Sequence, residues 1–141
     1  MTIHTHRDKR QQILSAAEKL IADVGFQGLS MQKLAKEAGV AAGTIYRYFD
    51  DKEHLIADVC VLVTQRVADA VQEGVNDSDP IKQRYRTMWL NIWNLAGTNL
   101  AAIKNRVQYE ALPITNSLNF RELERKMFDQ VEQLFNEGKE Q

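Results

Sequence analysis

The stretch from Ser30 to Leu55 narrows the possible fold more than any other part of this chain. Leu34, Ala35 and Ala38 share one face of a short helix that Ser30 is placed to cap and Gly39 to end. A second short helix begins soon after, at Gly43-Thr-Ile-Tyr-Arg-Tyr-Phe49. Two short helices joined through Gly39-Val40-Ala41 match a helix-turn-helix. In that motif the glycine permits the tight turn and Val40 plugs the gap between the helices.

The flanks are helical as well. Ile13, Ala17, Leu20, Ile21 and Val24 recur at helical spacing, with Gly25 where a left-handed C-cap residue belongs. This predicts a first helix from about Arg7 to Val24, preceded by an N-terminal arm, with Phe26 and Leu29 carrying apolar contacts through the link that follows. Asp50 and Asp51 are N-cap candidates for a fourth helix, with Glu53 at capping-box spacing from Asp50. Its stripe of Leu55, Ile56, Val59, Leu62, Val63, Val67 and Val71 runs to about Glu73, roughly 30 Å of helix. Asn76-Asp-Ser-Asp-Pro80 is a polar break with proline at an N1 position. Beyond it the pattern predicts helices over about Ile81–Ala96, Leu100–Ala111 and Leu118–Asn136. The last of these carries Leu123, Met127, Phe128, Val131, Leu134 and Phe135. No segment alternates as a strand does. The expected fold is all-α: a three-helix N-terminal helix-turn-helix domain over residues 1–55, linked by the long fourth helix to a helical region over 56–141.

Composition excludes several classes. With 44% hydrophobic and 26% charged residues the chain falls among ordered globular sequences. No apolar run reaches the roughly 18 residues a membrane span needs, and no apolar signal core follows Met1. The single cysteine, Cys60, excludes an internal disulfide and fits a reducing, cytoplasmic setting. Val59 and Val61 flank it with no basic neighbour, as expected of a buried, inert thiol. His4 and His6 suit a disordered arm better than a metal site. There is no Gly-rich phosphate loop, no metal-spaced Cys/His cluster and no nucleophile elbow, so no catalytic residue, metal or cofactor is expected. Through Asp50, seven basic residues stand against five acidic ones, and the remainder is acidic. The asymmetry suits a head that faces a polyanion.

The second helix of a helix-turn-helix enters the major groove of DNA. Ala42, Thr44, Arg47 and Tyr48 would be its exposed side chains, with Ile45 and Phe49 turned inward. Arg47 can bind guanine edges bidentately or pair with phosphate, and Thr44 can reach a phosphate or a thymine methyl. Tyr46 and Tyr48 can offer hydroxyls to phosphate oxygens, and Gly43 lets the backbone come close. Lys52 adds charge beside a helix N-terminus, where anions bind. The Arg7-Asp-Lys-Arg10 cluster either touches phosphates or is solvated charge.

Leu34-Ala-Lys-Glu-Ala-Gly-Val40, Gly43-Thr-Ile-Tyr-Arg-Tyr-Phe49 and Asp51-Lys-Glu53 together resemble the N-terminal domain of TetR-type (AcrR-like) transcription regulators. The resemblance is detailed from about Arg10 to Val59 and architectural beyond. It implies a cytoplasmic homodimeric repressor on a palindromic double-stranded operator, released when a small-molecule effector binds the helical body. It also implies DNA contacts at Gln32, Ala42, Thr44, Tyr46, Arg47, Tyr48 and Lys52, beside the close approach read for Gly43. Two departures stand out. Ala41 replaces the usual serine or threonine N-cap, and the sequence stops at Gln141, before two further helices that build the family's dimer interface. That predicts a truncated form or a dimer made another way. Tyr85, Met88, Trp89, Ile92 and Trp93 are either core or the wall of an effector pocket, and Tyr109 with Glu110 either a cation-binding corner or a solvated pair. The competing reading of the whole is a protein-interaction module that keeps a helix-turn-helix shape.

Overall fold

The computed structural model describes residues 2–98 and 108–140, with side chains from residue 8 onward. The elements are α1 (Thr2–Gly28), α2 (Met31–Ala38), α3 (Ala42–Tyr48), α4 (Lys52–Gln72), α5 (Ile81–Thr98), a 3-10 turn (Pro113–Asn116), α6 (Leu118–Met127) and α7 (Asp129–Glu140). No strand occurs among the described residues, so the fold is all-α. The chain divides into two compact units, Met1–Val61 and Leu62–Gln141, and α4 contributes to both.

In the first unit α1 packs on α2, and α2 on α3. Ile13, Leu14, Ala17 and Ile21 of α1 bury their side chains with Leu34, Ala35, Ala38, Ile45, Phe49, Leu55 and Val59. Gly25 breaks α1 after Val24 with φ 74° and ψ 174°, a backbone region that only glycine enters cheaply. A further turn then delivers Leu29 into the core. The N-terminal arm expected before Arg7 is instead helix from Thr2 onward. No glycine or proline precedes Gly25 to stop the helix from extending backward.

Arg10 keeps 42% of its side chain exposed but is engaged within the chain. Its Nη2 donates to Asp58 Oδ2 at 2.7 Å, and its guanidinium lies 5.5 Å from the centre of the Phe49 ring. His54 meets that ring edge-on at 5.6 Å, with its Nε2 3.4 Å from the same Asp58 oxygen. Four side chains thus tie α1, the end of α3 and the start of α4 together. Arg7 lies outside the residues whose side chains are described. Cys60 is buried among this packing, and burial pushes its thiol up to about 12, because a thiolate there would lack solvation.

In the second unit Val75, Met88 and Leu134 form the core, with Ile81 and Val131 packed against them. Asn91 Nδ2 donates to the carbonyls of Val71 and Glu73 at 2.8 Å each, satisfying the end of α4. Asn76 Oδ1 accepts from the Ser78 N–H in the polar break, and the Pro80 carbonyl accepts from the Arg84 N–H, so proline sits at the cap of α5, one place earlier than expected. Arg84, only 6% exposed, donates through Nε to the Asp79 carbonyl and through both Nη atoms to the Glu137 carboxylate. That hydrogen bonding holds the Glu137 carboxyl below its ordinary range and raises the Arg84 guanidinium further.

The single helix expected over Leu118–Asn136 is two, parted at Phe128 (φ −99°, ψ 30°). Gln72, from the end of α4, makes the break possible. Its Nε2 donates to the Met127 carbonyl at 2.7 Å, while its Oε1 accepts from the N–H groups of Gln130 (3.0 Å) and Val131 (3.3 Å). One amide side chain satisfies both sides of the interruption. Most of the helix expected over Leu100–Ala111 lies outside the described residues, and 108–110 are helical.

Candidate nucleic-acid interface and effector cavity

Local chemistry fixes the geometry of the head. Ser30 Oγ accepts from the Lys33 N–H at 3.1 Å and starts α2. Gly39 ends it in a left-handed conformation (φ 70°, ψ 31°), with its N–H on the Lys36 carbonyl and the Val40 N–H on that of Ala35. These paired bonds are a Schellman closure, and they set the turn between α2 and α3. Ala41 begins α3 with extended backbone and no side-chain cap. At α4 the cap is Asp51, whose Oδ1 accepts from the His54 N–H at 2.8 Å, and His54 Nδ1 in turn accepts from the Asp50 N–H. In place of the box expected of Asp50 and Glu53, Asp51 caps the helix through the His54 N–H, and the His54 ring reaches back to the Asp50 N–H. A side chain at the third helical position can reach back, and the imidazole does so here.

With both ends fixed, α3 turns Ile45 into the core and is followed by buried Phe49, while Ala42, Gly43, Tyr46 and Arg47 are exposed. Thr44 and Tyr48 are half-buried at the edges of that surface, Lys52 is half-buried at the start of α4, and Gln32 is exposed on α2. Neither Arg47 nor Lys52 is ion-paired among the described residues. Gly43 has no positive φ, and a Cβ built there would meet nothing within 4 Å. Packing within the chain does not require glycine at that point. Lys33, which sequence reasoning passed over, is exposed beside Gln32, with Nζ 3.4 Å from the Gly28 carbonyl.

The second unit holds an apolar cavity of about 370 Å3 between α5 and the α6–α7 break. Tyr85, Met88, Trp89 and Ile92 line it, as the spacing on α5 suggested, together with Val71, Phe128, Val131 and Leu134, and it opens to solvent, with Tyr85 57%, Trp89 56% and Ile92 45% exposed. The α6–α7 residues carried a visible apolar stripe, but nothing in their spacing says which helix they face. Trp93 is 69% exposed and outside the lining, and Tyr109 is buried and Glu110 exposed elsewhere, so these three do not join the other four. No cluster among the described residues could hold a metal ion.

A solvent-facing helix-turn-helix in one unit and an apolar groove in a second, helical unit are the plan of a one-component transcription regulator. The comparisons give the family. Residues 13–59 match the family model for bacterial regulatory proteins of the tetR family, and residues 80–141 the tetracyclin repressor-like C-terminal domain. A solved TetR family protein from Vibrio parahaemolyticus is 69% identical, with a TM-score of 0.80, covering 94% of this chain and 70% of its own. An HTH-type transcriptional regulator of Haemophilus influenzae is 40% identical over 82% of this chain, which spans 59% of that relative's length. The transcriptional regulator FadR of Bacillus subtilis, solved in complex with stearoyl-CoA, is 25% identical with a TM-score of 0.63, covering 88% of this chain and 65% of its own. The chain belongs to the TetR family of transcriptional regulators, and the relatives it matches are regulators, not enzymes. No helix among the described residues is long and apolar enough to cross a membrane.

Proposed function

We propose that this chain binds double-stranded DNA through α3 and that an apolar small molecule in the second unit controls that binding, releasing a repressor from its operator. One observation carries the reading. α3 is anchored from beneath by Ile45 and Phe49 and offers Gly43, Tyr46 and Arg47 outward, with Lys52 beside it. Arg47 then reads a base edge, Thr44 and Tyr48 border the groove, and Gln32, Ala42, Tyr46 and Lys52 meet sugar and phosphate. The bare Gly43 surface, unexplained by packing, suits a helix pressed against a duplex.

The cavity supports the effector half of the proposal, since an apolar chamber of this size is within the range of small-molecule sites. That FadR of Bacillus subtilis was solved in complex with stearoyl-CoA supports the reading. By likeness to the family, the proposal extends to a homodimer on a palindromic operator and a cytoplasmic location.

Operator selection tests the head. Arg47→Ala should relax preference at one base position by about 1–3 kcal/mol. Lys52→Ala should weaken binding to every duplex alike and flatten its dependence on salt. Unchanged base preference in the first variant and an unchanged salt slope in the second would overturn these roles.

A further inference from the structure

Beside the apolar chamber lies a second cavity, of about 410 Å3, lined by Ile81, Lys82, Tyr85, Leu134, Phe135, Gly138 and Lys139. The two share Tyr85, Leu134 and Phe135, so they meet at those side chains. Their chemistry differs sharply. The first offers hydrocarbon and aromatic rings alone, whereas the second brings an ammonium group from each of two helices, Lys82 on α5 and Lys139 on α7.

No carboxylate lines the second cavity, and neither lysine is ion-paired among the described residues. Of the two acidic residues nearest Lys139 in sequence, Glu137 is already held by Arg84, and Glu140 is exposed and outside the lining. Gly138, in the lining, faces open space, since a Cβ there would meet nothing within 4 Å. Glycine inside a helix costs about 1 kcal/mol against alanine, and packing within the chain does not call for it.

We infer that the effector is a single-chain amphiphile, its hydrocarbon tail in the apolar chamber and its anionic headgroup between Lys82 and Lys139. This rests on the effector reading above and adds to it the charge of the ligand and its direction in the site. A neutral apolar molecule would make no use of the two ammonium groups in the adjoining cavity. A wholly polar anion would leave the chamber empty.

The test uses the full chain without DNA. Its two tryptophans, Trp89 in the chamber wall and Trp93 nearby on α5, report occupancy by fluorescence. Hexadecanoate, hexadecyl phosphate and hexadecan-1-ol are titrated below their micelle concentrations, with tetradecanoate as the shorter anion. Both anions should bind in a saturable way and more tightly than the alcohol, and removing two methylenes should weaken binding about fifteen-fold. Lys82→Ala with Lys139→Ala should weaken the anions about three- to ten-fold and leave the alcohol unchanged. A preference for one anion over the other separates a carboxylate from a phosphate headgroup.

Alcohol and anions binding equally in parent and variant would overturn the headgroup site while the effector reading stands. Failure of every long-chain probe on a folded protein would remove both. A ligand-free emission shift that follows self-association would give the groove to a second copy and also overturn the proposal.

Discussion

Ala41 stands at the start of α3 with φ −71° and ψ 149°, the backbone of an N-cap, but with no oxygen to offer the helix. Only its carbonyl is engaged, by the Thr44 N–H at 3.0 Å. A hydroxyl at that position would accept from a free N–H of the first turn, so Ala41→Ser should raise stability by about 1 kcal/mol in denaturant unfolding. The absence of a cap was readable because alanine has no other chemistry. Arg10 is the opposite case. Its sequence neighbours Asp8 and Lys9 suggested solvent or phosphate, whereas its partners are Phe49, just after α3, and Asp58 on α4. Ile45 and Phe49 were readable as inward because helical period alone decides their face, and both are completely buried.

At the scale of elements, α2 and α3 are short helices whose ends are set by local chemistry: Ser30, Gly39 and the positions of apolar residues. Local rules suffice there, and the sequence predicts them well. The break between α6 and α7 obeys no local rule. The stripe of Leu123, Met127, Phe128, Val131 and Leu134 runs through it at helical spacing, and the residue that satisfies the interruption is Gln72 on α4. Gln72→Ala should cost about 1–3 kcal/mol, since it strands the Met127 carbonyl and two N–H groups. Hydrogen exchange should then quicken first at the Gln130 and Val131 amides. Equal quickening across the whole second unit would show that Gln72 is only one of many packing residues. The cavity follows the same logic. Its α5 wall was legible from spacing on one helix, but its other wall depends on where α7 turns after the break.

For the whole molecule, acid is a discriminating probe. The Glu137 carboxyl is held below its unfolded value by Arg84, so the pair stabilises the second unit above the ordinary carboxylate range and is lost as pH falls through the lowered value. Melting temperature should therefore drop below about pH 4, and Glu137→Gln should lower it at neutral pH while flattening that acid limb. A variant whose acid limb matches the parent would place the sensitivity in other carboxylates.

Cys60 carries a consequence of a different kind. The residue is 1% exposed, burial pushes its thiol up to about 12, and the sequence contains no other cysteine. In native protein a maleimide or disulfide reagent should find nothing to alkylate, and reaction should begin only with unfolding. The natural chain thus already serves as its own cysteine-free background. A single thiol grafted onto α3 or α5 could take a spectroscopic label, with no need first to mutate the native one.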